Sequence, residues 1–488
     1  MVLKKPNINR NSSDSANSSS IIGGYIYTEP LDINDTRITK LPKKLTNSIY
    51  LLKLIKPFTL GLILSLNYLL LTEFKQISNS LEIIFYSSLI ISLFYLGQSI
   101  STLIWSGLSK NFSRKTLTLS SYSAACLVLL GFGYSKKLQL SLIFVGLLGL
   151  LSGIEGIVNT MLYDLTDSTN LNSGFLPIGV YSTMGNILGL LTGFGTSNPI
   201  QKFPLLFNES DTLLKNYPYF LPCAISSYII GVIILVNYIY LDNSVEYVKY
   251  QCFNNNNNTN YSTFSAISRI TSNSSNFNDN SFTSSIKLIS KELIWASIQE
   301  SVTNLMLILL DITLISWTLT SSFNRNNGPI VIHLEIPLLL SGLLTSSIYH
   351  FGLASANINW LNKDNLTLIL IIFMDLTLIA LLLSYFTSIK MSLLLFSIIL
   401  IIRFILQLFL QSVTNLLLPT QIKYGSKFLF QNSILKSLDS LMIAIGLGLI
   451  AVLTVNYPFN KVFEMFGVLP NWGFILVLLI TGLITNNK

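Results

Sequence analysis

Residues 105–116, with the sequence WSGLSKNFSRKT, form a short basic stretch between two long apolar runs. The stretch carries three positive charges, at Lys110, Arg114 and Lys115, and no negative charge. A polar turn of this length between apolar runs predicts a tight hairpin of two helices, with its cations at a membrane surface. The apolar runs on either side therefore decide which class of protein this is.

The whole chain has the composition of a protein that crosses a membrane many times. Of its 488 residues, 51% are hydrophobic and only 11% are charged, and the mean hydropathy is +0.59. About 20 mostly apolar residues are needed to cross the hydrocarbon core as a helix, which satisfies its own backbone there. Twelve stretches qualify, at about 48–71, 82–106, 116–135, 139–163, 174–196, 218–241, 293–319, 329–352, 365–386, 391–415, 430–455 and 470–485. The predicted fold class is an all-α polytopic membrane protein.

A polar interruption divides the twelve predicted transmembrane helices into two six-helix halves. It contains the runs FNNNNNTNYS and TSNSSNFNDNSFTSS, which are too polar to enter a bilayer and too poor in hydrophobic residues to form a core. The predicted domains are a disordered cytoplasmic tail (1–47), a six-helix bundle (48–241), an Asn/Ser-rich cytoplasmic linker (242–290) and a second six-helix bundle (291–488).

Basic residues are distributed unevenly between alternate loops. The loops on the side of the N-terminal tail hold most of the lysines and arginines, whereas each loop on the other side has two or fewer. Because cytoplasmic loops carry this excess, both termini and the linker are predicted to be cytoplasmic. The net charge of +8 follows mostly from the same asymmetry, so it does not indicate a nucleic-acid partner.

The reactive side chains favour neither an enzyme nor a metal site. The three cysteines, Cys126, Cys223 and Cys252, are far apart and match no zinc or disulfide spacing. With two histidines in the chain, no catalytic constellation of histidine with serine or aspartate is present. His333 and Glu335 are two residues apart and point to different faces of a helix, so we expect no metal and no cofactor.

Ionisable side chains deep in the predicted spans are the strongest indications of a functional site. Burying a charge in a membrane costs at least a few kcal/mol unless the charge faces a partner or water. Glu155, Asp311, Asp375 and Arg403 all lie at such depth. We interpret them as candidates for proton coupling or for lining a substrate cavity.

The seventh span carries a polar stripe. Glu300, Asn304 and Asp311 are spaced by four and seven residues, so they fall on one face of a helix. Asp311 should lie near the midplane of the membrane, where reversible protonation is plausible. The alternative is that Asp311 pairs permanently with Arg403 or a polar neighbour, and the sequence leaves both interpretations open.

Other polar residues in the spans are interpreted more simply. Lys53 and Lys56 lie near the cytoplasmic end of the first span, where a lysine can extend its ammonium group to the membrane surface. Lys436 and Asp439 have a similar position in the eleventh span. Asn67, with its neighbour Tyr68 in the first span, is a possible substrate contact.

The basic stretch resembles a motif that the major facilitator superfamily carries in the cytoplasmic loop between helices 2 and 3, written G-x-L-[SA]-D-x-x-G-R-[KR]. Leu108, Ser109, Arg114 and Lys115 match it, while serines stand in the first and second glycine positions. Lys110 occupies the acidic position. The resemblance implies a gate in which the acidic residue and the arginine lock the helices together, and Lys110 cannot form that lock in the usual way.

Two further stretches resemble the fungal twelve-span drug:proton antiporter group of this superfamily and the zinc-induced facilitator-like carriers. YSTMGNILGLLTGFG is similar to the helix-5 antiporter motif, with Gly185, Gly189 and Gly193 in place and Leu190 in the proline position. FPLLFNESDTLLKNYPYFLPC is similar to the family segment that enters helix 6. Glycines at every fourth residue also predict a groove into which a neighbouring helix packs.

The resemblance implies the major facilitator fold and a secondary transporter that exports a small molecule by alternating access, coupled to protons. The expected partners are the lipid bilayer, a small-molecule substrate and protons, with the chain acting as a monomer in a vacuolar or plasma membrane. The alternative is a non-transporting sensor or scaffold on the same fold. Three departures from the family pattern favour that alternative: Lys110, Leu190, and Val145 in the place of the usual helix-4 arginine.

Overall fold

Helices make up almost all of the described structure. The computed structural model describes residues 19–22, 25–28, 41–75, 80–109, 111–166, 170–203, 206–207, 212–241 and 425–456, with single residues and short runs within 297–312, 343–344 and 398–412. The helices are α1 (Lys43–Lys75), α2 (Ser80–Leu108), α3 (Arg114–Gly133), α4 (Leu138–Ser152), α5 (Glu155–Asp164), α6 (Leu171–Phe175), α7 (Pro177–Thr196), α8 (Pro199–Lys202), α9 (Thr212–Asn216), α10 (Phe220–Tyr240) and α11 (Gly425–Asn456). The described residues of 297–312 and 398–412 are helical as well.

Two short strands precede the helices. Strand β1 (Ser19–Ile22) pairs antiparallel with β2 (Tyr25–Thr28), with Ser19 opposite Thr28. This hairpin lies within the predicted cytoplasmic tail, and its isoleucines and tyrosines are residue types that favour extended backbone. Helix α1 begins at Lys43, so its first turn also falls within the range assigned to the tail.

Seven helical stretches in the described residues are long and apolar enough to cross a membrane. They are Lys43–Asn67, Phe85–Leu108, Arg114–Gly133, Leu138–Asp164, Ser173–Thr196, Phe220–Tyr240 and Leu429–Val452. These seven coincide with the first six predicted spans and the eleventh. The predicted spans at 365–386 and 470–485 lie outside the described residues, and the other three are described only in part. The total of twelve therefore stays a prediction.

Local signals in the sequence set the ends of several helices. Ser113 caps α3 by accepting a hydrogen bond from the backbone nitrogen of Thr116 at 3.1 Å. Pro177 opens α7, where its missing N–H group costs nothing. The fourth predicted span is divided into α4 and α5 by a turn at Gly153 and Ile154. This turn places Glu155 at the first position of α5 rather than within a continuous helix.

Helix α1 packs along α7, α2 along α4 and α11, and α3 along α10. The glycines of the helix-5 motif face α1, as the predicted groove requires. A Cβ atom at Gly185 would lie 2.5 Å from the carbonyl oxygen of Leu54. A Cβ atom at Gly189 would lie 2.8 Å from the backbone nitrogen of Leu62 and closer still to the carbonyl oxygen of Phe58. Small residues therefore let these two helices approach backbone to backbone.

Substitution of Gly189 by alanine should destabilise the protein, because the added methyl group meets backbone atoms that cannot rotate away. We expect a loss of about 1–3 kcal/mol in the free energy of unfolding, as for an overpacked core. Gly231 on α10 is the matched control, since a Cβ atom there meets no atom of the described residues within 4 Å. Gly231→Ala should be neutral or gain up to about 1 kcal/mol through helix propensity. Denaturant titration of the two purified variants measures both free energies of unfolding. Equal stability of Gly189→Ala and Gly231→Ala would contradict the packing of α1 on α7.

Candidate functional site

Glu155 binds two lysines of α1. Lys56 Nζ lies 2.6 Å from Glu155 Oε2, and Lys53 Nζ lies 3.4 Å from Glu155 Oε1. Lys53 also donates to the backbone carbonyl of Glu155 at 3.4 Å. The side chain of Lys53 is only 2% exposed. The interpretation of Lys53 and Lys56 as lysines that reach the membrane surface is therefore wrong, because both turn inward to the partly buried carboxylate of Glu155.

A second cluster joins α11 to the helical residues of 297–312. Lys436 Nζ lies 2.5 Å from Glu300 Oε1, with both side chains largely buried. Asp439 follows one turn later on α11 and is 6% exposed. Ser297 donates to the carbonyl oxygen of Leu435 at 3.3 Å and fixes the register of the two helices. The interpretation of Lys436 and Asp439 as groups at the membrane surface is also wrong, because each lies between packed helices.

A third cluster contains Asp311 and Arg403. The guanidinium group of Arg403 binds both the Asp311 carboxylate and the side-chain oxygen of Gln407, and it lies 4.5 Å from the ring centre of Phe404. Gln407 Oε1 accepts a further hydrogen bond from Asn186 of α7 at 3.2 Å. The structure places Asp311 in an ion pair with Arg403, while reversible protonation of Asp311 stays a prediction.

The two predicted halves meet through neutral hydrogen bonds. Asn432 of α11 donates to the carbonyl oxygen of Gly156 at 3.1 Å, and Ser437 donates to the carbonyl oxygen of Ser99 at 2.7 Å. Three more bonds across this boundary are Ser92 to the carbonyl of Ala444, Ser412 to the carbonyl of Leu176, and Asn186 to Gln407. The clusters around Glu155 and Lys436 lie on the helices that these bonds hold together.

The basic stretch of the opening hairpin makes its contacts within the first half. Arg114 forms an ion pair with Asp164 at the end of α5, and its side chain is 29% exposed. Lys115 Nζ lies 5.4 Å from the ring centre of Tyr238. Ser109 donates to the carbonyl oxygen of Ser106 at 2.7 Å, beside the half-buried Leu108. Lys110 lies outside the described residues.

The remaining candidates are placed as follows. Asn304 is half-buried, whereas Asp375, His333 and Glu335 fall outside the described residues. Gly193 packs against the side chain of Ser65 on α1. Asn67 is buried, and neither atom of its amide has a hydrogen-bond partner among the residues that the structure describes. No group of three or more potential metal ligands occurs within the described part of the chain.

Several site residues carry no motif, so the sequence either gives a wrong role for them or gives no role at all. Lys53 and Lys56 were noticed but assigned to the membrane surface, although their three-residue spacing inside an apolar run places two cations on one face of a helix. Asn186 and Gln407 are uncharged and lie in apolar helices, so only the structure brings them to Arg403. An amide in the middle of a predicted span is the one signal by which such residues can be found.

The chain is similar to proteins named as major facilitator transporters, although no family model matches it. It is 32% identical over 162 residues to the major facilitator-type transporter psiT2 of Psilocybe cyanescens, covering 33% of this chain and 30% of that protein. It is 22% identical over 185 residues to the major facilitator superfamily multidrug transporter mfsB of Aspergillus fumigatus, covering 38% of this chain and 31% of that protein. The matches thus span about a third of the length of these curated relatives.

Solved structures resemble the fold over much more of the chain. The proton:xylose symporter XylE superposes with a TM-score of 0.58 at 11% identity, covering 89% of this chain and 96% of that one. The human organic anion transporter MFSD10 superposes with a TM-score of 0.55 at 13% identity, covering 89% of this chain and 99% of that one. These likenesses show the fold that the motifs indicated: the chain is a multi-pass membrane protein with the major facilitator fold, and the membrane spans that the structure describes are α-helices.

Proposed function

We propose that the chain is a secondary transporter that exports a small molecule by alternating access and couples this export to proton entry. The observation that carries the proposal is the burial of ionised side chains from both halves, around Glu155 in the first half and around Lys436 and Arg403 in the second. Ionisable residues inside membrane proteins are rare, and even where they are paired, as here, they mark the pathways of substrates, ions or protons. A scaffold has no need of them.

The distribution of ion pairs and hydrogen bonds is compatible with a rocking motion of two rigid halves. The five ion pairs described above each join side chains of the same half, for example Lys56 with Glu155 and Lys436 with Glu300. The bonds across the boundary run instead from serine or asparagine side chains to neutral oxygens. Neutral hydrogen bonds contribute only about 0.5–1.5 kcal/mol each, because water replaces them when they open. The described parts of the halves can therefore separate without breaking any of these five ion pairs.

The setting of the transporter follows the sequence predictions. The chain acts as a monomer in a vacuolar or plasma membrane, with both termini on the cytoplasmic side. Its relatives include a protein named as a multidrug transporter, and we carry the idea of an exported small organic solute to this chain on that basis. Its chemistry is transport, without a catalytic step or a cofactor.

The proposal is tested by screening for a transported solute. Cells that lack or overproduce the protein are exposed to a panel of amphipathic cations, organic anions, metal chelates and weak acids, and the retained amount of each compound is measured. We expect the deletion to raise the retained amount of at least one compound and overproduction to lower it. Unchanged retention of every compound, with the tagged protein present in the membrane, would contradict export of these classes.

The departures from the family pattern favour a second candidate, a non-transporting sensor or scaffold. Val145 is fully buried in α4 at the position where the family has an arginine, so that charge is replaced by packing. A sensor would bind a solute without moving it. Binding of a solute to the purified protein, together with no flux of that solute in reconstituted vesicles, would identify this case.

A further inference from the structure

Asp439 is a buried carboxyl group outside the ion pairs described above. Glu155 is bound by two lysines, Glu300 by Lys436 and Asp311 by Arg403. The residue Asp439, in contrast, is 6% exposed, and its Oδ1 atom makes no hydrogen bond with any residue that the structure describes. A buried polar atom without a partner is rare in proteins and calls for a ligand or a change of charge.

Ionisable groups from the surrounding helices face this carboxyl group. They are Lys436 one turn earlier on α11, Glu300 from the helical residues of 297–312, Lys56 from α1 and Tyr95 from α2, and Lys436 in turn interacts with Glu155 of α5. The hydroxyl group of Ser301 forms a hydrogen bond with the Asp439 carboxyl group. Two of the facing groups are cations, but each is already bound to another carboxylate.

The region around Asp439 holds three lysines and three carboxylates, but none of the ion pairs described above includes Asp439. The three lysines are Lys53 and Lys56, which share Glu155, and Lys436, which binds Glu300 at 2.5 Å. An ionised Asp439 therefore receives attraction from lysines that are already paired and repulsion from Glu300. The carboxyl group of Asp439 has a hydrogen bond with Ser301 but no ion pair of its own, so binding a proton removes a buried charge that no cation neutralises directly.

We propose that Asp439 is a proton-binding residue of this protein. An O–H bond forms at a carboxylate oxygen of Asp439, with the proton taken from water between the two halves. The same bond breaks and returns the proton to water when the halves separate on the other side. The side chain changes from anion to neutral acid, and no other reactant is needed.

The position of Asp439 links its protonation to the movement of the halves. Helix α11 lies against α2 of the first half, where Ser437 donates to the carbonyl oxygen of Ser99 and Ser92 donates to that of Ala444. Closing this boundary buries Asp439, so the neutral acid favours the closed arrangement and the anion favours an open, hydrated one. This coupling rests on the proposed transport function, whereas proton binding by Asp439 does not.

Infrared difference spectroscopy tests proton binding without a known solute. The purified full-length protein in lipid is moved from mildly alkaline to mildly acidic buffer, and the carbonyl band of a newly protonated carboxyl group is recorded. We expect wild type to show this band and Asp439→Asn to lose it. The control is Glu82→Gln, which removes an exposed carboxylate from α2 and should leave the band unchanged.

Two results overturn the proposal: absence of the band in wild type, or its full retention in Asp439→Asn. If Asp439→Asn does not fold, Asp439→Glu keeps the carboxyl group in a slightly different place and should shift the band. An unshifted band in Asp439→Glu then overturns the proposal equally. A normal band in wild type with no flux in vesicles would refute the transport function alone and leave proton binding by Asp439 intact.

Discussion

Arg403→Met should lower the free energy of unfolding by about 3–5 kcal/mol, because it leaves the Asp311 carboxylate buried without its counter-ion. Asp311 and Arg403 side chains are 7% and 3% exposed, so water cannot take the place of the lost partner. Methionine fills much of the volume of the arginine side chain, which limits the contribution of a cavity. The midpoint of a denaturant titration on purified protein measures the effect.

The double variant Asp311→Leu with Arg403→Met should recover most of that loss, since it removes both buried charges together. Arg114→Met is the matched control, because the ion pair of Arg114 with Asp164 is partly exposed and should be worth about 0–1 kcal/mol. If Arg403→Met and Arg114→Met lowered the free energy of unfolding by the same small amount, Asp311 and Arg403 would not form a buried pair. If the double variant were as unstable as Arg403→Met, the loss would come from packing rather than from charge.

Glu155→Gln should lower the free energy of unfolding about as much as Arg403→Met does, because it leaves two lysines of α1 without a carboxylate. The unpaired charge of Lys53 costs the most, since its side chain is 2% exposed. The side chain of Lys56 is 17% exposed and retains some access to water. We expect a loss of about 3–5 kcal/mol, measured by the same denaturant titration, and loss of transport. The glutamine keeps the size of the side chain, so the change in charge is isolated.

Replacement of Lys53 by methionine in the Glu155→Gln background should restore part of the stability, because it removes the most deeply buried unpaired charge. Asp164→Asn is the control for a carboxylate at the other end of α5, where Arg114 stays partly exposed. Wild-type stability in Glu155→Gln would show that the two lysines reach water, as their position in the sequence first indicated.

The fold could be predicted from the sequence because membrane spans have a simple physical signature. Each of the seven described spans is an apolar run of the length that the hydrocarbon core requires, and the glycines at 185 and 189 predicted close packing before their partner α1 was known. The turn after Ser152 could not be predicted, because Gly153 and Ile154 are common inside membrane helices.

The candidate site was harder to predict because ion pairing depends on contacts between distant parts of the chain. Glu155, Glu300, Asp311 and Arg403 were identified as charges buried in apolar runs. The pairing of Asp311 with Arg403 was one of the two interpretations that the sequence allowed. The lysine partners of Glu155 and Glu300 were assigned to the membrane surface, since a lysine four residues deeper or shallower in a helix looks the same in sequence. Asp439 shows this most clearly: its position resembles that of a surface carboxylate, but the packing of α11 against α2 buries it.

The gradient dependence of solute flux tests the central claim, proton-coupled transport, most directly. Purified protein is reconstituted into vesicles, and the flux of the solute found by the retention screen is measured under inward, absent and outward proton gradients. We expect flux in wild type to follow the direction and size of the proton gradient and to collapse when a protonophore is added, and Asp439→Asn to lose this dependence. Wild-type flux that is the same under all three gradients would contradict proton-coupled transport by this chain.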